Sequence, residues 1–245
     1  FLLVFVEVMS SIHKILDEIK RESGLTKNEV MYIFEQALEA AVCSYFGVRE
    51  CLIDLEGKKI FPVYGIESVY SHSEKHLKWI NFSELDPWIT RDCRDNFTRF
   101  LHRAKEDELL KKWRNRVHQT VQGEIECIRK SEINVRLEDD VHATMLKSEW
   151  VPREVPLYRQ GDLLWFYVLK VARVGDGVRV YLSRGSINFP VALLRSRVPW
   201  VKFKPVRRIR GSKSWVEASE EISSVILREV SRDLMGEVVE VMVAR

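Results

Sequence analysis

Glycine and proline are scarce, at 11 and 7 of 245 residues, which excludes collagen-like, linker-like and glycine-rich low-complexity chains. Cysteine is scarcer still. Cys43, Cys51, Cys93 and Cys127 are widely spaced and include no C-x-x-C pair. That distribution suits neither a zinc site nor a small disulfide scaffold and reads as four reduced thiols. No apolar run reaches the roughly 20 residues a membrane-spanning helix needs. The opening FLLVFVEV has Glu7 inside it and no basic segment before it, so it reads as neither a span nor a signal peptide. Its expected explanation is a natural start at Met9 or a longer parent chain, and the expected location is the cytoplasm.

Catalytic signatures are missing too. There is no Walker loop, G-x-G-x-x-G or G-x-S-x-G. His72, Glu74 and His76 make H-x-E-x-H, which lacks the zinc-protease spacing because no Glu directly follows the first His. Glu138-Asp139-Asp140 reads as a solvated turn rather than a magnesium site. A non-enzyme with no catalytic residue, cofactor or metal is therefore expected.

What is present is a chain able to bury cores, with 46% hydrophobic and 31% charged residues. Ile12, Ile15, Leu16 and Ile19 recur at helical spacing, with Gly24 placed to stop that helix. Thr26 and Glu29 form a capping box for a second helix, whose apolar face runs Val30, Ile33, Phe34, Ala37, Leu38, Ala41, Val42 and Tyr45. Two strands, Cys51 to Leu55 and Ile60 to Tyr64, flank a turn at Gly57-Lys58. A connecting helix is expected from about Asp95 to His118. The period then changes to 2. Val121 to Cys127, Ile133 to Leu137, Val141 to Met145, Leu164 to Val171 and Val178 to Leu182 read as five strands of a small antiparallel barrel of the OB type. From Phe189 the chain turns helical and basic, then runs through a strand (Ser214 to Ala218), a helix (Ser223 to Leu234) and a last strand (Val238 to Val243).

The formal net charge of +3 hides a strong segregation. Residues 1–90 carry nine basic and fourteen acidic side chains, and residues 91–118 carry nine and five. From Arg184 to Lys213 there are nine basic residues and no acidic one: Arg184, Arg195, Arg197, Lys202, Lys204, Arg207, Arg208, Arg210 and Lys213. Such a block suits a polyanion, because each phosphate neutralised releases counterions. Like charges at this density also repel, which argues against a merely solvated helix face. Of the seven tryptophans, Trp113, Trp165 and Trp215 read as core, while Trp150 and Trp200 are the better stacking candidates.

The order of these segments resembles the bacterial transcription termination/antitermination factor NusA. The stretch IHKILDEIKRESGLTKNEVMYIFEQALEAAVCSYFG (Ile12 to Gly47) is similar to the opening helices of its RNA-polymerase-binding domain. VQGEIECIRKSEINVRLEDDVHATMLKSEWVPREVPLYRQGDLLWFYVLKV (Val121 to Val171) is similar to its S-one-type RNA-binding barrel, with Gly123, Pro152 and Gly161-Asp162 where that barrel has them. VYLSRGSINFPVALLRSRVPW (Val180 to Trp200) resembles the exit into the first KH domain. VKFKPVRRIRGSKSWVEA (Val201 to Ala218) follows that family's basic helix, Gly-Ser-basic segment and strand.

Two departures stand out. A KH domain grips RNA through a G-x-x-G loop, yet no two glycines stand three apart in this chain, and only Gly236 follows Gly211. In the barrel, Val141-His142-Ala143-Thr144 offers His142 alone where many relatives present stacking aromatics.

The expected fold is multidomain α+β: a helical/β N-terminal domain over 9–118, a five-stranded OB-type β-barrel over 119–188 and a C-terminal KH-like α/β remnant over 189–245. The resemblance implies a monomeric elongation factor that docks on core RNA polymerase and nascent single-stranded RNA, with other elongation factors as further partners and no membrane. Arg184, Lys204, Arg207, Arg208, Arg210, Lys213 and His142 are the residues expected to meet RNA. A second reading is a protein-interaction module whose basic block meets an acidic surface of the transcription machinery. An RNA-processing enzyme is a third reading, for which the chain offers no catalytic set.

Overall fold

The computed structural model describes residues 24–64, 78–175 and 177–243. The helix expected over Ile12 to Ile19 and the triplet His72, Glu74 and His76 lie outside them. Two units are present, Phe1–Asp107 and Glu108–Arg245, and the border falls within a helix.

In the first unit, helix α1 (Lys27–Phe46) begins at the expected capping box. The Glu29 amide donates to Thr26 Oγ1 at 3.3 Å, and the Thr26 amide donates to Glu29 Oε2 at 2.7 Å. Its buried face is the one the spacing predicts, from Val30 to Val42. Tyr45, expected to continue that face, stays 45% exposed, its ring set against Phe46 and Trp88. Strands β1 (Glu50–Asp54), β2 (Lys59–Val63) and β3 (Ile80–Asn81) form an antiparallel sheet. Helix α2 runs Pro87–Arg114 and so starts a full two turns before the expected Asp95. Proline suits a helix's first turn, where its missing amide would go unbonded anyway. Ile89 and Cys93 of α2 share a core with Phe34, Leu38, Cys51 and Ile60. Burial there pushes the thiols of Cys51 and Cys93 up to about 12.

The second unit is built around a closed barrel with strands in the order β4-β5-β6-β8-β7. They are β4 (Thr120–Ile128), β5 (Glu132–Arg136), β6 (His142–Leu146), β7 (Leu163–Val174) and β8 (Gly177–Ser183). This is the OB-type architecture expected, with one difference: β8 pairs with β6 in parallel, so the barrel is mixed rather than antiparallel. Periodicity marks a segment as a strand without saying which neighbour it chooses. Inward residues alternate with outward ones, and Val121, Ile125, Ile133, Val135, Ala143, Met145, Phe166, Val168, Val180 and Leu182 fill the interior. Trp113, fully buried near the end of α2, packs into the same core. Gly123 is required where β4 passes β5. A Cβ there would stand 2.4 Å from Val135 Cγ1 and 2.8 Å from Leu137 Cδ2.

Beyond the barrel come helix α3 (Phe189–Arg197), strands β9 (Phe203–Ile209) and β10 (Lys213–Ala218), helix α4 (Ser224–Asp233) and strand β11 (Val238–Val243). The helix expected from Phe189 is present as α3 but stops at Arg197, and the basic stretch after it, expected to be helical too, is the strand β9. Pro205 sits in its middle, and proline removes a helix bond and clashes with the preceding turn. The sheet order is β11-β10-β9, with β9 antiparallel and β11 parallel to β10. Only residues 219–223 separate β10 from α4, so no second helix intervenes. Both helices cover one face of this sheet, where Phe189, Leu193, Phe203, Val216, Val230 and Val239 share a core with Tyr167 of the barrel. Barrel and sheet therefore belong to one hydrophobic body.

Two buried ion pairs tie that body together. Arg184, with none of its surface exposed, donates from Nε to Glu154 Oε2 at 2.5 Å and from Nη2 to Oε1 at 3.0 Å. It also donates to the carbonyls of Trp165 (2.6 Å) and Asp233 (3.0 Å). Burial works against its charge, but the hydrogen bonds and charge of Glu154 outweigh it and hold the guanidinium above its ordinary pKa. Tyr158 donates to Glu154 Oε2 at 2.7 Å, and burial together with that carboxylate raises the phenol's pKa. Arg208 forms the second pair, Nε to Glu237 Oε1 at 2.8 Å and Nη2 to Oε2 at 2.9 Å. It reaches back to the Arg184 carbonyl at 2.8 Å. Glu237 further accepts from the Gly211 amide and the Ser214 hydroxyl, at 2.7 and 2.5 Å. Gly211, at φ +72°, brings its turn so near the barrel that a Cβ would lie 2.8 Å from Val151 Cγ1.

Removing one partner of a buried pair leaves the other charge uncompensated. Arg184→Ala is accordingly expected to destabilise the protein by about 3–5 kcal/mol, read as a lower midpoint in urea denaturation. In the native protein at pH 8, a thiol reagent should spare Cys51 and Cys93 until denaturant is added, with mass spectrometry locating the label.

Candidate nucleic-acid interface

The outward residues of the barrel strands line up in rows because closure fixes their register. One row runs Cys127, Asn134, Thr144, Tyr181 and Lys170, each the pairing partner of the next. A neighbouring row holds Glu124, Arg136 and His142. Tyr181 is half-buried and Lys170 exposed, with Lys170 Nζ 4.6 Å from the Tyr181 ring centroid. Arg179, two residues before Tyr181, is exposed on the same face. His142 lies at the start of β6, its side chain 76% exposed, with Nδ1 3.1 Å from Glu126 Oε2. Arg136 Nη2 donates to Glu124 Oε2 at 2.9 Å. Among the described residues, neither Lys170 nor Arg179 is engaged in an ion pair. This face therefore presents one aromatic ring, two cations outside any ion pair, Asn134, and the paired groups Arg136–Glu124 and His142–Glu126, while Thr144 in the first row is buried.

The basic block divides into inward and outward members. Arg184 and Arg208 are spent on the buried pairs with Glu154 and Glu237, their side chains 0% and 2% exposed, and neither can meet an RNA phosphate. Both expectations are corrected on that ground. Arg195 donates to the Phe203 carbonyl at 2.8 Å, and Arg197 pairs with Asp233 and Glu229. Arg210 is exposed but donates to the Ser148 carbonyl at 2.8 Å, holding the β9–β10 turn to the barrel. Lys213 pairs with Glu240. Lys202, Lys204 and Arg207 are exposed, and none of them is in an ion pair among the described residues. Nearly half of the block is internal wiring.

The tryptophans also sort differently from expectation. Trp113 and Trp165 join apolar clusters as predicted. Trp150, a stacking candidate, is buried with its indole N–H donating to the Met145 carbonyl at 3.1 Å. Trp200 is 72% exposed. Trp215, expected in the core, stands on the other face of the sheet, because Ser214 and Val216 on either side of it are the buried ones. Arg207 lies across from it on β9, its guanidinium carbon 5.5 Å from the ring centroid. Lys213 Nζ is 5.0 Å from the same ring. Tyr181 and Trp215 were both legible as alternate positions between buried neighbours, a signal that the hydrophobicity of their surroundings masks.

No protein-family model matches this chain, and no curated protein matches it. Among solved structures it is distantly similar to an uncharacterized protein from Methanocaldococcus jannaschii, at 12% identity and TM-score 0.25 over 27% of this chain and 88% of that one. It is also similar to the apo form of Mycoplasma genitalium RNase R, at 14% identity and TM-score 0.28 over 41% and 18% of the two chains. A third likeness is to a multidomain protein with nucleic acid binding domains from Streptococcus pneumoniae, at 17% identity and TM-score 0.24 over 41% and 37%. The chain spans well under two thirds of the length of the last two.

The inward and outward arginines of β9 are separable by experiment. Arg207→Ala combined with Lys204→Ala should leave the unfolding free energy from urea denaturation nearly unchanged, within about 0.5 kcal/mol. Arg208→Ala should lower it by about 3–5 kcal/mol.

Proposed function

We propose that this chain binds single-stranded RNA on the outer face of its barrel and serves as a NusA-like factor of transcript elongation and termination. The observation that supports RNA binding most directly is the row Asn134–Thr144–Tyr181–Lys170 on a five-stranded OB-type barrel. OB folds take oligonucleotides on their outer strands, with aromatic rings stacking bases and cations tracking phosphates. Tyr181 supplies the ring, Lys170 and Arg179 the cations, and Asn134 and His142 the hydrogen-bonding groups. The transcription role is supported by the resemblance of Ile12 to Gly47, of Val121 to Val171 and of Val180 to Ala218 to that family. Under this reading residues 9–118 dock on RNA polymerase while the barrel guides the emerging transcript.

The internal use of Arg184, Arg195, Arg197 and Arg208 favours a second reading, in which the remaining surface cations meet an acidic protein rather than RNA. Filter binding with unstructured RNA at low salt separates the two. Retention at micromolar protein supports the first reading, and none supports the second.

If about four phosphates are contacted, log affinity should fall with log salt at a slope of roughly −3. Replacing Lys170 and Arg179 with Ala should flatten that slope by roughly 1.4, at about 0.7 per phosphate on a single strand. Tyr181→Ala should weaken binding about tenfold with the slope unchanged. An unaltered slope in the Lys170/Arg179 double variant would sink the barrel assignment.

A further inference from the structure

The C-terminal sheet has one face packed under α3 and α4 and another that faces solvent among the described residues. Its helix-covered side holds Ser214, Val216 and Ala218 of β10, all buried. On the opposite side Trp215 occupies the middle of the central strand, with Arg207 as its partner on β9 and Glu240 on β11. Ile209, Val238 and Met242 are 46%, 55% and 43% exposed and flank that row on the paired positions. An indole held on an open sheet face between two cations is a chemically specific arrangement. It differs from the G-x-x-G grip that this segment lacks.

We propose that this open face is a second single-stranded nucleic-acid site, in which a base stacks on Trp215 and the neighbouring phosphates meet Arg207 and Lys204 along strand β9. Sheets that bind single strands do so with aromatics standing on an uncovered face, since every base has a π surface to offer. The charge pattern selects this occupant. Lys213 is neutralised by Glu240 and braces the indole. Glu217 stands across from Lys204 but makes no ion pair with it. Arg207, Lys204 and the adjacent Lys202 are thus left as unpaired cations on one edge, which is what a polyanionic backbone requires. Arg207 already lies against the ring, so a phosphate it binds sits next to a base stacked there.

This inference rests on the chain being a nucleic-acid binder, but its site and its test are separate from those of the barrel. Labelled oligouridylate is titrated by fluorescence anisotropy against the full chain, Trp215→Leu, Trp215→Phe and Tyr181→Ala. Trp215→Leu should bind about tenfold more weakly, while Trp215→Phe, which keeps a stacking ring, stays within about threefold of the parent. Arg207→Ala with Lys204→Ala should flatten the salt slope by roughly 1.4. Equal binding by Trp215→Leu and the parent overturns the proposal. So does an equal loss in the Leu and Phe variants, since a structural role would not distinguish a ring from an isobutyl group. If Tyr181→Ala binds normally while Trp215→Leu fails, the barrel reading falls and this one stands. The converse pattern removes this site and leaves the barrel, and a chain that binds no oligouridylate removes both.

Discussion

The Arg184–Glu154 ion pair is the constraint around which the second unit is arranged. A charge pair withdrawn from water costs more than its mutual attraction returns unless every remaining donor and acceptor is satisfied. Here they are satisfied from four directions. Glu154 comes from the loop before β7, Trp165 from β7 itself, Arg184 from the end of β8, and the Asp233 carbonyl from the end of α4. The neighbouring Arg208–Glu237 pair repeats the device between β9 and the entrance to β11, and Arg208 reaches the Arg184 main chain. Both guanidinium groups lie over the Phe189 ring, their carbons 5.4 and 5.8 Å from its centroid. Barrel and sheet therefore meet through a polar lock as well as through the apolar core around Tyr167.

This arrangement changes the meaning of the charge segregation. A run of nine basic residues without an acid looks like a surface made for polyanions. Its acids are present, but far away in sequence: Glu154 stands 30 residues before Arg184, and Glu237 stands 29 after Arg208. A local count of charge cannot register such pairing. What survives of that run at the surface is a thinner set of cations, Lys202, Lys204 and Arg207, the last of them against Trp215 on the sheet.

The local features were legible where the physics is local. The capping box of α1, the alternation of the five barrel strands and the order of strand, helix and strand at the C-terminal end all follow from neighbours in sequence. Pairing choices were not. The parallel contact of β6 with β8 depends on barrel closure, and the inward turn of Arg208 against the outward turn of Arg207 depends on a partner 29 residues away. Pro205 was a readable objection to a helix over Val201 to Gly211, and Ser214-Trp215-Val216 a readable alternation. In both places the period carries the structural information and the basic, tryptophan-containing composition does not.

The position of Arg184 has a temporal consequence. A ribosome delivers the last barrel strand, ending at Ser183, well before it delivers Asp233, which lies 49 residues beyond Arg184. During that interval the five strands can close, yet the guanidinium at the barrel's exit lacks one of its carbonyl acceptors and the cover of α3 and α4. Burial of this arginine is thus completed by α4, an element that is not part of the barrel and lies far beyond it in sequence.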